Sequence, residues 1–163
     1  MKKWISLLLA LFLTISLAAC SGTREDVPEK AEKNETVEAV ILEEPQSLLE
    51  DGTYTSKEDV ALYIDQFGHL PANFITKKEA EKLGWTGGAL EPYAPGKCIG
   101  GNRFGNYEGL LPEETGRTYT ECDIDTLGAT ERGAKRIVFS NDGLIYYTED
   151  HYLTFELLYG DES

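Results

Sequence analysis

Patterns that start helices come first in this chain and strand-like segments follow, and this order constrains the fold more than any other feature. Two capping-box patterns, Thr55-Ser56-Lys57-Glu58 and Thr76-Lys77-Lys78-Glu79, predict the starts of two short helices. Gly68 ends the first predicted helix, and the second extends to Leu83 with Gly84 as its cap. After Lys97, β-branched and aromatic residues lie between turn signals, which predicts strands over residues 97–104, 118–124, 136–140, 144–148 and 152–158.

Helices followed by strands are typical of an α+β domain. Asn141-Asp142-Gly143 has the composition of a tight hairpin turn, and hairpin links favour antiparallel pairing. We therefore expect N-terminal helices packed on one face of a twisted antiparallel β-sheet. The opposite face is then free to carry a site.

Composition divides the chain into three parts. Residues 1–19 combine Lys2 and Lys3 with an apolar run too short to span a bilayer comfortably, which predicts a signal peptide. Residues 20–53 are acidic and contain no aromatic residue, as expected of a flexible tether. All nine Tyr and five of the six Phe follow Asp51, so residues 54–163 are expected to form one domain.

The end of the signal segment predicts where the protein works. Leu17-Ala18-Ala19-Cys20 resembles the bacterial lipobox, which makes Cys20 a candidate for lipidation. The alternative is a plain secretory signal with a chance cysteine. Either way we expect an extracytoplasmic protein, secreted or lipid-anchored at the outer face of the cell membrane, that meets the membrane only through its anchor.

The charge of the chain limits how it can bind nucleic acid. The formal net charge is −14, and from Tyr54 onward there are 10 Lys and Arg against 19 Asp and Glu. This balance argues against broad affinity for nucleic acid, which depends on cations that neutralise phosphates. A site that processes RNA would need a local positive cleft in an acidic surface.

Two cysteines remain if Cys20 is lipidated. An oxidising compartment favours a disulfide between Cys98 and Cys122, and two buried free thiols are the alternative. The two histidines and these cysteines lack the paired spacing of zinc ligands, so no metal site is predicted.

Four charged side chains suggest a chemistry. Glu121, Arg132, Arg136 and His151 are spaced along successive predicted strands. Together such residues can transfer a phosphoryl group without a metal. The Glu takes a proton, the His donates one, and the Arg residues stabilise a phosphorane-like charge. Taken singly, each residue is ordinary: a Glu on a solvated face and a lone His are more often structural. Asp123 shares the face of Glu121 and can pair with either arginine.

Several segments together resemble a known family. The chain is similar, over about residues 60–155, to the barnase family of secreted bacterial guanyl-preferring ribonucleases, also called the microbial ribonucleases. The similarity is carried by Leu70-Pro71, Asn73-Phe74-Ile75-Thr76-Lys77, Leu83-Gly84-Trp85, Ala94-Pro95-Gly96-Lys97, Ile99-Gly100-Gly101, Gly116-Arg117-Thr118, Glu121, Asp123-Ile124, Asp150-His151-Tyr152 and Thr154-Phe155.

The resemblance implies a role for each matching residue. Glu121 matches the general base and His151 the general acid, while Tyr152 matches a ring beside that histidine. Lys77, Arg132 and Arg136 match the cations around the scissile phosphate. The loop Phe104-Gly105-Asn106-Tyr107-Glu108 matches the guanine-binding loop, with Glu108 accepting from the guanine N1/N2 edge. Arg117 and Asp142 match a structural ion pair, and no cofactor is implied.

The chain also departs from the family pattern. Tyr107 occupies a position that is usually basic, in the surface that the inhibitor barstar covers, and Leu110 and Glu113 stand where lysines occur in barnase. A tyrosine at position 107 can stack on a base instead. One residue is inserted between Glu121 and Arg132, which can offset Arg132.

We therefore expect a metal-independent, monomeric endoribonuclease that cleaves single-stranded RNA after guanosine through a 2′,3′-cyclic phosphate. A barstar-like cytoplasmic inhibitor is a candidate partner. The main alternative is a non-catalytic surface lipoprotein that keeps the fold and binds a nucleotide or a protein. The sequence leaves open whether such a ribonuclease is a scavenging enzyme or a toxin.

Overall fold

The structure is a computed structural model, and it describes residues 47–162. The predicted signal, Cys20 and residues 21–46 of the predicted tether lie outside this range. Residues 47–53, which composition assigns to the tether, contact the domain: the Leu48 N–H donates to the Gln66 side chain (3.2 Å), and the Tyr63 hydroxyl donates to the Glu50 carbonyl (2.8 Å). The folded unit therefore begins before the predicted boundary at residue 54.

Both predicted helices form. Helix α1 spans Lys57–Phe67 and ends at Gly68, whose φ of 73° suits glycine. Its N-cap is Ser56, one residue later than predicted, because the Ser56 hydroxyl accepts from the Asp59 N–H at 3.1 Å. Helix α2 spans Lys77–Lys82 and has the predicted capping box at Thr76 and Glu79, although its C-cap is Leu83 rather than Gly84.

One six-stranded sheet carries the helices. Its strands are adjacent in chain order, and every neighbouring pair is antiparallel except β1 and β2, which are parallel. The α+β class and the antiparallel pairing of β2 to β6 are confirmed, and β1 was not predicted. The strands are β1 (Phe74–Ile75), β2 (Cys98–Phe104), β3 (Tyr119–Asp123), β4 (Arg136–Ser140), β5 (Ile145–Thr148) and β6 (Glu156–Tyr159).

The two faces of the sheet have different partners. One face packs on α1 through a cluster that includes Val60, Ile64 and Ile137. The opposite face carries a second cluster under the loops, built around Tyr119, Val138 and further aromatic residues. As expected, the face away from α1 is the one on which the charged residues of interest lie. None of the described helices is long and apolar enough to cross a membrane.

The predicted disulfide is absent from the described structure. Cys98 and Cys122 are both buried free thiols. The partner of Cys122 across the β2–β3 ladder is Gly100, so Cys98 lies diagonally from it. Diagonal neighbours are about 7–8 Å apart, which exceeds the usual reach of a disulfide. The alternative of two buried thiols is the one that the structure has, and burial raises the pKa of both.

Candidate active site

Glu121 lies at the centre of a cluster of polar side chains on the free face of the sheet. Its Oε1 accepts from Lys77 Nζ at 2.5 Å, and its Oε2 accepts from the Tyr152 hydroxyl. Lys77 reaches it because the Lys77 N–H donates to the Asn102 side chain (3.1 Å), and Asn102 is the β2 partner of Glu121. The register of the sheet therefore positions the start of α2 beside β3.

Tyr152 is a neutral donor to this carboxylate. Burial raises the pKa of its phenol, the hydrogen bond to Glu121 raises it further, and nearby Arg136 opposes the rise. The phenol thus stays protonated and acts as a hydrogen-bond donor to Glu121. Each carboxylate oxygen has two lone pairs, so Glu121 can still accept a proton from a third group.

Asp123, on the same face of β3, holds two arginines. Arg132 binds it through two nitrogens, at 2.6 and 2.8 Å, and the Arg132 guanidinium also lies 5.6 Å from the centre of the Trp85 ring. Arg136 Nε lies 2.9 Å from Asp123 Oδ1, as an ion pair without hydrogen-bond alignment. The hydrogen bonds that Arg132 donates to Asp123 raise the pKa of Arg132. The predicted pairing of Asp123 with these arginines is confirmed, so Arg132 reaches Asp123 despite the predicted offset.

His151 lies in a loop that Asp150 organises. The Asp150 carboxylate accepts from the backbone N–H groups of Leu153 (3.0 Å) and Thr154 (2.9 Å) and from the Thr154 hydroxyl (2.7 Å). These bonds, led by those from Thr154, lower the pKa of Asp150 to about 2. They hold residues 152–155 as a loop, so the strand predicted over residues 152–158 begins only at Glu156. His151 is exposed with a φ of 58°, and its ring lies beside the Tyr152 ring (4.7 Å between centres).

One cavity is lined by part of the predicted site. Its volume is about 500 Å³, and Glu121, His151 and Glu108 all line it. The remaining lining residues are Arg103, Phe104, Gly105, Tyr107, Leu110, Tyr152 and Leu153. Of the predicted site residues, Lys77, Asn106, Arg132 and Arg136 do not line it. An accepting carboxylate, a histidine and the predicted guanine-binding loop thus share one space large enough for a nucleotide.

Comparison with known proteins agrees with this geometry. A family profile described as ribonuclease matches residues 57–159. The ribonuclease of Bacillus intermedius is 39% identical over 166 residues, covering 95% of this chain and 98% of that protein. The ribonuclease of Heyndrickxia coagulans is 49% identical over 100 residues, covering 60% of this chain and 91% of that protein. The chain belongs to the ribonuclease family. A guanyl-specific ribonuclease St of Saccharopolyspora erythraea is 42% identical over 57 residues, which cover 35% of this chain and 56% of that protein.

In this member of the ribonuclease family, the loop from Phe104 to Glu108, which the sequence predicts to bind guanine, is stabilised by one of its own side chains. Asn106 has a φ of 44°, and its amide bridges the loop by donating to the Leu111 carbonyl (2.9 Å) and accepting from the Leu111 N–H (3.0 Å). Asn106 is therefore a brace, and its side chain is occupied within the loop. The predicted Arg117–Asp142 ion pair is present at 2.8 Å beside this loop.

Three residues near this candidate site, Asn102, Arg103 and Asp150, were given no role from sequence, and the role of a fourth, Tyr152, was only partly predicted. Asn102 and Arg103 show no signal in the pattern, because their places depend on the register of β2. Tyr152 was assigned only as a ring beside His151, and its bond to Glu121 depends on the loop. Asp150 could have been recognised, since Asp side chains often accept hydrogen bonds from nearby backbone N–H groups in turns.

Proposed function

We propose that this ribonuclease cleaves single-stranded RNA after guanosine, without a metal, in two steps. The observation that supports the proposal best is the pairing of Glu121 with Lys77 and Tyr152 in a cavity that also contains His151. A non-catalytic nucleotide binder has no need of an accepting carboxylate and a histidine in one space.

The first step makes a cyclic phosphate. Glu121 takes the proton of the ribose 2′-OH, and the 2′-oxygen attacks phosphorus. The bond from phosphorus to the 5′-oxygen breaks, and His151 donates a proton to that oxygen as it leaves. The step requires Glu121 ionised and His151 protonated, so the rate has a bell-shaped dependence on pH.

The second step opens the cyclic phosphate with the roles reversed. His151 accepts a proton from water as the water oxygen attacks phosphorus. The bond to the 2′-oxygen breaks, and Glu121 returns its proton to that oxygen. Each catalytic group therefore ends the cycle in its starting state, and the net reaction is hydrolysis of one phosphodiester.

Cations stabilise the charge that develops on phosphorus. Lys77 touches Glu121, and Arg132 and Arg136 are fixed by Asp123 two residues further along β3. Because the ion pairs hold these side chains in place before substrate arrives, little reorganisation is needed in the transition state.

Guanine preference is assigned to the loop from Phe104 to Glu108. Its backbone N–H groups would meet guanine O6, and the Glu108 carboxylate would accept from N1 and N2. The support is the position of Glu108 in the same cavity as Glu121, the brace at Asn106, and the guanyl-specific relatives.

We also propose that the enzyme acts outside the cytoplasm as a monomer, anchored through a lipid on Cys20, with a barstar-like inhibitor as its cytoplasmic partner. The lipobox-like sequence before Cys20 supports the anchor. Incorporation of a radiolabelled fatty acid that is lost in Cys20→Ala would support it, and equal labelling of both proteins would contradict it.

The activity is tested with an RNA oligonucleotide that contains one guanosine. Cleavage directly 3′ of that guanosine, with a 2′,3′-cyclic phosphate product and in excess EDTA, is expected. Glu121→Gln and His151→Ala should each lower kcat by roughly 10²- to 10⁴-fold. Matched controls are Glu81→Gln, an exposed glutamate of α2, and His69→Ala, the other histidine. RNA binding without cleavage at any pH would instead indicate a non-catalytic protein.

A further inference from the structure

The rim of the catalytic cavity is unusually apolar for a protein that handles a polyanion. Tyr107, Leu110 and Leu153, here called the apolar rim, are 94%, 53% and 74% exposed, and all three line the cavity that contains Glu121. Single exposed apolar side chains need no explanation, but a group around one site marks a binding surface.

The charge around the cavity cannot supply much affinity for RNA. Lys77, Arg132 and Arg136 are all paired with carboxylates, and the cavity lining contains one arginine, Arg103, beside the carboxylates Glu108 and Glu121. Four cations against the three carboxylates Glu108, Glu121 and Asp123 leave a net charge near +1. The domain around them is acidic, so attraction of the phosphate backbone is weak.

Tyr107 presents its ring to solvent at the cavity. A Cβ placed on Gly105 would lie 2.2 Å from the Tyr107 ring, so the ring occupies the space beside Gly105, and 94% of the residue remains exposed. Two further rings that line the cavity, Phe104 and Tyr152, have centres 5.1 Å apart, and Phe104 also lies 6.1 Å from Phe155. An exposed ring beside other rings suits stacking on a base.

We propose that the apolar rim binds the bases of the RNA substrate, so that affinity depends on stacking and apolar contact more than on phosphate charge. The inference rests on the proposed ribonuclease activity. Tyr107 and Leu110 flank Glu108 and contact the base held by that loop. Leu153 follows His151, the group that protonates the leaving oxygen, and contacts the base of the departing nucleoside.

Two measurements on the full-length protein test the rim. With a short guanosine-containing oligonucleotide, Tyr107→Ala raises KM by at least about fivefold with a smaller change in kcat, and Tyr107→Phe restores it. Tyr93→Ala, an exposed tyrosine away from the cavity, leaves KM unchanged. Replacing the base 3′ of the guanosine with an abasic residue weakens binding of the oligonucleotide to the wild-type protein. With that abasic oligonucleotide, Leu153→Ala causes no further loss of binding.

The second measurement is the salt dependence of binding. An oligonucleotide with 2′-deoxyguanosine at the cleavage position lacks the nucleophile and reports binding alone. Its Kd should rise only about threefold from 50 to 200 mM salt, as expected when about one phosphate is neutralised. No cleavage and no binding by wild type would overturn the activity and the rim together. Cleavage with an unchanged KM in Tyr107→Ala would overturn the rim alone, and so would a steep salt dependence, which would show that phosphate charge supplies the affinity.

Discussion

Replacing Asp123 with Asn should destabilise the domain severely while leaving its overall architecture in place. Asp123 and Arg136 are each 2% exposed, and the carboxylate is the shared partner of Arg132 and Arg136. Asparagine keeps the volume but loses the charge, and it turns an amide NH₂ toward two guanidinium groups that can only donate. A buried Arg136 without a counter-charge is the result.

The expected cost follows from that burial. Breaking a buried ion pair from one side costs about 3–5 kcal/mol, a large part of the roughly 5–15 kcal/mol that stabilises a typical domain. For a domain of this size that corresponds to a fall in Tm of roughly 12–20 °C. Urea denaturation followed by tyrosine and tryptophan fluorescence measures it, with a lower midpoint and an unchanged slope as the expected result.

The matched control is Asp142→Asn. Asp142 also pairs with an arginine, Arg117, but that pair lies nearer to solvent, where water and salt screen the interaction. The loss of stability in Asp142→Asn should therefore be much smaller than that in Asp123→Asn. Equal destabilisation by the two substitutions would refute the argument that burial of Arg136 sets the cost.

Three further predictions concern the loops and the thiols. Asn106→Gly keeps the positive φ but removes two buried hydrogen bonds. The ratio of kcat/KM for guanosine over adenosine dinucleotides should therefore fall by roughly 2- to 10-fold. An unchanged ratio would show that the hydrogen bonds of Asn106 are dispensable. Asp150→Asn should lower stability at pH 7 but not at pH 2. The folded pKa of Asp150, about 2, lies below its usual 3.8, so its contribution is complete above about pH 4 and is lost as pH falls through 2; a constant difference across urea titrations at both pH values would contradict this. Cys98 and Cys122 should resist alkylation in the native protein and react after unfolding without reductant, whereas a disulfide would leave both unlabelled in peptide mapping.

Local chemistry made much of the fold predictable. The capping box at Thr76 and the turn before Leu144 form because residues a few positions apart satisfy each other's hydrogen bonds, and such signals are written in the sequence. Strand β1 has only two residues and no signal of its own. The stretch from Tyr152 to Phe155 has strand propensity, but the Asp150 carboxylate takes its backbone N–H groups and holds it as a loop.

The sequence indicated candidate residues for the site, but not which of them contact one another. Glu121, His151 and the cations were assigned through family resemblance, and their convergence depends on strand register. The bond from Tyr152 to Glu121 joins residues 31 positions apart, and nothing local indicates it. The same limit explains the wrong disulfide, since a two-residue difference in register decides whether Cys98 faces Cys122 or lies diagonal to it.

The roles of Glu121 and His151 are tested most directly by changing the leaving group. A guanosine 3′-aryl phosphodiester has a leaving group that needs no proton, whereas the natural 5′-oxygen does. His151→Ala should lose roughly 10²- to 10⁴-fold in kcat on the dinucleotide and little on the aryl ester, while Glu121→Gln should lose a comparable factor on both. Equal losses of His151→Ala on the two substrates, or full activity of Glu121→Gln on either, would contradict the proposed mechanism.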